Sequence, residues 1–253
     1  MATKSNEEKL FSRYEEFAKE VCEDRRYFLS EQSMVFLKDL AKELCKHGKT
    51  LPANTILYRA RANNYEHLDY QKFNEDPIDK EDMKPRSNLR SQGRLNAHNI
   101  NALYLAFDEG TAISECRAFV GAPVSLGTFS LKKDLRVLDL NQEIGMWQYL
   151  KRYSDPKTYI SDVLCRPLEH EYQKNRDYIP TQVIAEYLHH VVGIDGIIYS
   201  SQFQSEGSSK QGAEEHIKQQ NICLFDLYVA DCEKVEIWNI QSQTNVVIKK
   251  ESK

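Results

Sequence analysis

The chain has 253 residues, of which 41% are hydrophobic and 28% are charged, a composition typical of folded globular proteins rather than disordered ones. Lysine and arginine number 34 and aspartate and glutamate number 38, which gives a formal net charge of −4. This balance argues against a nucleic-acid-binding protein and against a surface for anionic membranes.

Targeting and redox features indicate a protein of the cytoplasm. The first residues, MATKSNEEKLF, lack the apolar core of a secretory signal, and no later apolar run has the length of a transmembrane helix. The six cysteines contain no C-x-x-C pair, a pattern typical of reduced thiols. We therefore expect a cytoplasmic location.

The N-terminal part of the chain has the spacing of helices. Apolar residues recur every three or four positions over 7–47, which predicts two amphipathic helices. Gly48 is the predicted stop of the second helix. We assign residues 1–50 to an N-terminal helical extension, 51–240 to the main domain and 241–253 to a polar tail.

Short strands interspersed with helices follow the extension. Residues 63–93 are polar and predict a long loop, whereas 108–120, 143–152 and 180–192 predict helices. The predicted strands are ILYRARA (56–62), ALYLAF (102–107), PVSLGTFSL (123–131), LRVLDL (135–140), DGIIY (195–199), ICLFDL (222–227) and VEIWNI (235–240). Without a regular alternation of strand and helix, this order favours an α+β domain over a doubly wound one.

A carboxylate follows the strand at 102–107 on the next helix, which Asp108 or Thr111 can cap. One face of this helix carries Ile113, Cys116, Phe119 and Val120. Glu115 falls at the border of that face, where a carboxylate can lie in a cleft and still be reached by a ligand. The alternative is an ordinary surface ion pair with Arg94 or Arg117.

Two arginines and a tyrosine are further candidates for binding a ligand. Arginine presents a planar fork that fits phosphate, so Arg59 and Arg94 near one cleft would suit a diphosphate, although either alone is more often solvated. Tyr104 faces the opposite side of its strand from Leu103 and Leu105. Its ring could stack on a flat heterocycle or simply pack in the sheet.

Motifs of several other chemistries are missing from the sequence. No G-x-S-x-G surrounds Ser200 or Ser201, and no H-E-x-x-H, G-x-G-x-x-G or Walker A motif is present. These absences argue against a serine hydrolase, a zincin, and a Rossmann or P-loop nucleotide site.

Seven segments, in this order, resemble the RES domain, a family named for its Arg, Glu and Ser. The segments are LYRAR (57–61), GRLN (93–96), ALYLAFDEGTAISE (102–115), LRVLDL (135–140), YIPTQVIAEYL (178–188), DGIIYSS (195–201) and NICLFD (221–226). The N-terminal helices resemble the extension of the longer members. The resemblance implies an ADP-ribosyltransferase-like α+β fold, with small mixed and antiparallel sheets, flanking helices and an N-terminal helical extension.

The resemblance also implies an enzyme that consumes NAD⁺ as a substrate. Members cleave the bond between nicotinamide and ribose by phosphorolysis, with inorganic phosphate as co-substrate, or by hydrolysis, and act as bacterial toxins. Two alternatives stay open, a protein ADP-ribosyltransferase and a catalytically silent module that binds a nucleotide or a partner. The resemblance implies an antitoxin protein as partner and requires no metal or resident cofactor. The oligomeric state stays open, a dimer included.

Carried over by motif, the family's three residues fall on Arg94, Glu115 and Ser201. Glu115 would stabilise positive charge on the ribose, Ser201 would orient Glu115 or the ribose, and the arginines would hold the diphosphate. The residues predicted to bind the dinucleotide are Arg59, Arg61, Tyr104, Ser200 and Asn221.

The chain departs from the family pattern at three places. Ala97, His98 and Asn99 follow GRLN where the family continues with Pro and Gly, and the polar stretch 202–220 is longer than usual. Ser200 replaces a proline before the family serine, so Ser200 and Ser201 remain alternatives for that serine.

Overall fold

The computed structural model describes residues 6–63, 65–66, 69–73, 75–85, 92–140, 176, 178–201 and 219–241. The helices are α1 (Asn6–Lys19), α2 (Glu31–Cys45), α3 (Glu109–Cys116) and α4 (Ile179–Tyr187). Helices α1 and α4 continue as π-helical turns at Glu20–Asp24 and Leu188–Val192. Among the helices of these residues, none combines the length and the hydropathy needed to cross a bilayer.

The strands form one large sheet and one small hairpin within the described residues. The strands are β1 (Gly48–Leu51), β2 (Ile56–Ala62), β3 (Tyr65–Glu66), β4 (Asp69–Phe73), β5 (Leu103–Ala106), β6 (Pro123–Leu131), β7 (Leu135–Asp139), β8 (Gly196–Ser200), β9 (Gln220–Leu224) and β10 (Ala230–Asn239). The eight-stranded sheet has the order β1-β7-β8-β9-β5-β2-β6-β10, and β3 pairs with β4. Strands β7 and β8 are parallel and all other pairs are antiparallel. A mixed sheet with helices packed on it confirms the predicted α+β class.

Both faces of the central strands are buried. Ile197 packs with α1, α2 and α4, whereas its chain neighbour Ile198 packs in the cluster on the opposite face, as the two-residue period of a strand requires. The helices on the first face bury Phe17 and Phe36, each 1% exposed. Burial of such a ring stabilises the fold by roughly 2–3 kcal/mol. The N-terminal helices therefore share a core with α4 and the sheet.

The predicted elements differ from the structure in several places. Gly48 is not the end of a helix but the first residue of β1, which pairs with β7. The sequence does not predict this strand, because its four residues, with one buried side chain, show too little alternation. The predicted loop over 63–93 contains the short strands β3 and β4 and a 3₁₀ turn at Glu81–Met83. The predicted helix at 143–152, most of the stretch 202–220 and residues after 241 lie outside the described residues.

Helix α3 is shorter than its apolar pattern predicts. The Asp108 side chain caps its first turn and accepts a hydrogen bond from the Thr111 amide at 2.7 Å. The helix ends at Cys116 because Arg117 adopts a left-handed conformation, with φ of 53°. The prediction that Phe119 and Val120 lie on its apolar face is wrong, since they follow the turn and are 54% and 52% exposed. Glu115 is thereby left in the last turn of α3.

Candidate active site

A cavity of about 510 Å³ lies where α3, β2, β5, β9 and residues 92–96 meet the start of α4. Binding sites for small molecules usually have volumes of about 300–1,000 Å³, so the cavity has the size of a ligand site. Its polar lining includes Glu115, Arg59, Arg94, Tyr104 and Asn221.

The Glu115 carboxylate is held by two donors from neighbouring strands. Its Oε1 atom accepts hydrogen bonds from Ser201 Oγ at 2.7 Å and from Asn221 Nδ2 at 2.6 Å. Asn221 lies in β9 opposite Tyr199 of β8, and Ser201 follows β8 directly, so the pairing of the two strands brings both donors to one place. No described residue donates a hydrogen bond to Oε2. The carboxylate is thus oriented through one oxygen, and the other is left to meet a ligand.

The turn at residues 93–96 is fixed against the Tyr104 hydroxyl. This hydroxyl donates to Asn96 Oδ1 at 2.8 Å and accepts from the Leu95 amide at 3.1 Å. Burial raises the pKa of Tyr104 well above its usual value, so the hydroxyl remains a donor. A Cβ at Gly93 would clash with this hydroxyl oxygen and with Asn96 Oδ1, which is why the turn requires glycine. Tyr104 packs on the helix side of the sheet, opposite Leu103 and Leu105, as its position in the strand predicted.

The same turn is also attached to the first residues of α4. Thr181 Oγ1 donates to the Arg94 carbonyl at 2.7 Å, and Gln182 Nε2 donates to the Gly93 carbonyl at 2.8 Å. Thr181 is 0% exposed and Gln182 is 5% exposed. Polar groups so deeply buried stabilise a structure only when they are hydrogen-bonded, and here the partners belong to the backbone of the cavity wall.

Arg94 keeps its charge in a largely buried position. Its Nε atom donates to the Tyr178 hydroxyl at 3.3 Å. Burial acts to lower the pKa of Arg94, but Tyr178, Tyr199 and Glu115 act in the opposite direction and leave it above its usual value. The guanidinium is therefore a permanent cation in the wall of the cavity.

Arg59 brings a second guanidinium to the cavity, from strand β2, and its surroundings are different. Its Nη1 atom is buried and has no hydrogen-bond partner among the described residues. Burial, together with the nearby charge of Arg61, lowers the pKa of Arg59 to about 10. A buried donor without a partner is costly, and an anionic group in the cavity would supply the missing acceptor.

A family model described as the RES domain matches residues 56–245, most of the chain. The chain belongs to the RES domain family. This family is associated with NAD⁺-related, toxin-like functions, so at that coarse level the chain has an NAD⁺-related enzymatic role. Neither the search of curated proteins nor the search of solved structures returned a significant match.

The structure brings most of the residues predicted from the RES domain motifs to one place. The residues that line the cavity are Glu115, Arg94, Arg59, Tyr104 and Asn221, and Ser201 reaches it through its hydrogen bond to Glu115. Their roles with a dinucleotide remain predictions.

Besides Ser201, two further predicted residues are not among the described residues that line the cavity. Arg61 donates instead to the Asp82 carbonyl, which holds the segment before Pro85. Ser200 is the last residue of β8, and the hydrogen bond to Glu115 comes from its neighbour Ser201. Of the two alternatives for the family serine, the geometry favours Ser201.

Several residues of the RES domain site carried no predicted role. Tyr178 and Tyr199 line the cavity and are each 7% exposed, and Asn96 is 3% exposed. Thr181 and Gln182 support the wall from behind. The sequence did carry a signal for these two residues, since they are a polar pair at the start of an otherwise apolar helix. Polar residues are buried in such a place only where they have hydrogen-bond partners.

Proposed function

We propose that this RES domain protein consumes NAD⁺ and cleaves the bond between nicotinamide and ribose in the cavity that contains Glu115. One observation carries the proposal. The same cavity is lined by a carboxylate oriented through two donors and by a buried guanidinium donor that has no partner among the described residues. NAD⁺ contains the two matching groups, a ribose that becomes cationic during cleavage and an anionic diphosphate.

The carboxylate suits the charge that develops during cleavage. When the bond from ribose C1′ to the pyridine nitrogen breaks, the electron pair leaves with nicotinamide, and positive charge spreads over C1′ and the ring oxygen. Glu115 beside the ribose would stabilise this charge more in the transition state than in the ground state. Nicotinamide leaves as a neutral molecule, so the departure requires no general acid.

The remaining residues would fix the substrate over Glu115. A diphosphate oxygen would accept from the Arg59 donor that has no partner within the described part of the chain, and Arg94 adds a second cation in the same cavity. Ser201 and Asn221 would keep the carboxylate from turning away as charge develops. Holding the reacting bond over a fixed carboxylate removes much of the entropic part of the barrier.

The acceptor completes the reaction in one of two ways. In phosphorolysis a phosphate oxygen forms the new bond to C1′ and the product is a phosphorylated ADP-ribose. In hydrolysis a water oxygen forms that bond, loses a proton and leaves ADP-ribose. An NAD⁺-depleting enzyme of this kind would act as a bacterial toxin or defence effector, and an antitoxin protein that covers the cavity would be its natural partner.

The test is a product analysis with purified protein. We expect nicotinamide to be released from NAD⁺, and the comparison with and without inorganic phosphate identifies the acceptor from the second product. Label transferred from NAD⁺ to a protein, with little free ADP-ribose, would favour the transferase alternative. Absence of any nicotinamide release by folded protein, with or without phosphate and cell extract, would contradict the proposal.

A further inference from the structure

The first turn of α4 holds two consecutive carbonyl groups of the 93–96 turn. Gln182 donates to the Gly93 carbonyl, and Thr181 donates to the Arg94 carbonyl. These contacts join residues 89 and 87 positions apart in the chain. Thr181 Oγ1 also lies 2.9 Å from the Tyr178 carbonyl, so its shorter contact, at 2.7 Å, is the one to Arg94.

The Arg94 side chain is held from the same turn of helix. The Tyr178 hydroxyl accepts from Arg94 Nε at 3.3 Å, and Tyr178 immediately precedes α4. Residues 178–182 therefore fix both the backbone and the side chain of Arg94. A long arginine side chain has many rotamers, and a fixed backbone with one fixed nitrogen removes most of them.

Thr181 and Gln182 are not among the described residues that line the cavity, and both are almost fully buried. Any effect on the reaction must pass through the residues they hold. From this arrangement we infer that Thr181 and Gln182 are positioning residues, which keep Arg94 at its place in the cavity. What Arg94 does there rests on the proposed function.

Helix α4 is also the helix on which the N-terminal part of the chain packs. Residues of α1 and of its π-helical turn contact α4, and their buried side chains share one core cluster. The helix that holds Arg94 through Thr181 and Gln182 is thus itself packed against α1 and its π-helical turn. A displacement of Arg94 by about 1 Å can cost about 100-fold in rate, so the rigidity of α4 has a direct consequence for turnover.

The test uses pairs of variants that separate the hydrogen bond from the packing. Thr181→Val keeps the shape and removes the donor, whereas Thr181→Ser keeps the donor and removes a methyl group. Gln182→Met removes the second donor at similar length. Ser33→Ala is the matched control, because Ser33 is a buried hydroxyl (4% exposed) that donates to Glu20 in the N-terminal helices.

We expect Thr181→Val and Gln182→Met each to lower kcat/KM for nicotinamide release by about tenfold. This is less than the loss expected if Arg94 were fully displaced, because each variant keeps the other hydrogen bond. Thr181→Ser should retain most of the activity, and Ser33→Ala should retain all of it. If the serine variant loses as much as the valine variant, or if both apolar variants match wild type, the inference is wrong.

A second readout does not depend on turnover. The Nε–H resonance of Arg94, assigned by its loss in Arg94→Lys, should exchange slowly with water in wild type and faster in Thr181→Val and Gln182→Met. Unchanged exchange in both variants would overturn the inference, even if wild type released no nicotinamide. Absence of nicotinamide release by wild type would count against the proposed function alone, whereas unchanged exchange would count against the positioning role. The two failures are therefore distinguishable.

Discussion

The two walls of the cavity differ in how their polar groups are satisfied. On the wall built from α3, β8, β9 and the 93–96 turn, Glu115 accepts from two donors and the turn is fixed to α4. On the wall formed by β2, the Nη1 atom of Arg59 is buried without a partner among the described residues. Among the described residues, hydrogen bonds within the protein orient the carboxylate of the first wall, whereas the buried Arg59 donor of the second wall has no acceptor.

This difference suits two separate roles, stabilisation of the transition state by the wall that contains Glu115 and binding of the substrate by the wall that contains Arg59. Groups that stabilise charge in a transition state are most effective when the protein has already oriented them, as Ser201 and Asn221 orient Glu115. A group that binds substrate gains most when its partner is supplied only by that substrate. A buried donor without an acceptor is costly, and an anionic ligand would supply the acceptor that the described residues do not give Arg59.

The largest expected effect is on the wall that contains Glu115. Glu115→Gln removes the negative charge with little change in shape, and we expect kcat for nicotinamide release to fall by about 1,000-fold. Glu109→Gln is the matched control, since Glu109 lies on the same helix and is not among the described residues that line the cavity. Equal losses in both variants, or no loss in the first, would assign the chemistry elsewhere.

The wall formed by β2 should respond in two opposite directions. Arg59→Met removes a charge-assisted contact with the ligand, so we expect NAD⁺ affinity to fall by about 10–100-fold. The same change removes a buried donor for which the described residues offer no acceptor, so the free energy of unfolding should rise by about 1 kcal/mol. Calorimetric titration and urea unfolding measure the two effects. A variant that is less stable than wild type would show that Arg59 is satisfied in the folded protein.

The donors to Glu115 should matter less than Glu115 itself. Ser201→Ala and Asn221→Ala each remove one hydrogen bond to Oε1, and we expect about tenfold lower kcat for each, because one donor remains. The double variant should lose more than the product of the two, since the carboxylate is then free to turn. Ser200→Ala decides between the two serines, and a larger loss there than in Ser201→Ala would overturn the assignment.

The attachment of the 93–96 turn to Tyr104 should give a smaller effect. Tyr104→Phe removes a hydroxyl that both donates to Asn96 and accepts from the Leu95 amide, so we expect a loss of about 1–2 kcal/mol in the free energy of unfolding. Turnover should fall only a few-fold, because Thr181 and Gln182 still hold the turn. A loss of turnover as large as that of Glu115→Gln would instead indicate direct contact between the hydroxyl and the substrate.

The smallest expected effect is on the pH dependence of stability. Burial and the nearby charge of Arg61 lower the pKa of Arg59 from its ordinary value to about 10 in the folded protein, so folding disfavours its charged form. Below pH 10 both the folded and the unfolded chain carry the proton, so the resulting destabilisation is fully present. Above pH 10 the folded protein loses the proton while the unfolded chain keeps it, so the destabilisation decreases. The stability gain of Arg59→Met over wild type should therefore shrink above pH 10. A gain that does not change between pH 7 and pH 11 would exclude this origin.

The elements with a strong local pattern were predictable from the sequence. The alternation in PVSLGTFSL predicts β6 over 123–131, and the structure has the strand at those residues. The border position of Glu115 on α3 predicted a carboxylate in a cleft, and it lines the cavity. Both features depend on residues within a few positions of each other.

The features that were missed depend on contacts between distant residues. Strand β1 exists because it pairs with β7, which lies more than 80 positions later: Gly48 is opposite Leu138. The donors to Glu115 lie 86 and 106 residues away from it. Thr181 and Gln182 stand out locally as polar residues in an apolar helix, but the local sequence does not give their partners, which lie 87 and 89 positions away.

The most direct test of the division between the two walls is the structure of the Glu115→Gln protein bound to NAD⁺. The account predicts a diphosphate oxygen within hydrogen-bond distance of Arg59 Nη1 and the nicotinamide ribose against the side chain at position 115. NAD⁺ bound outside this cavity, or bound with Arg59 Nη1 still unpartnered, would contradict it.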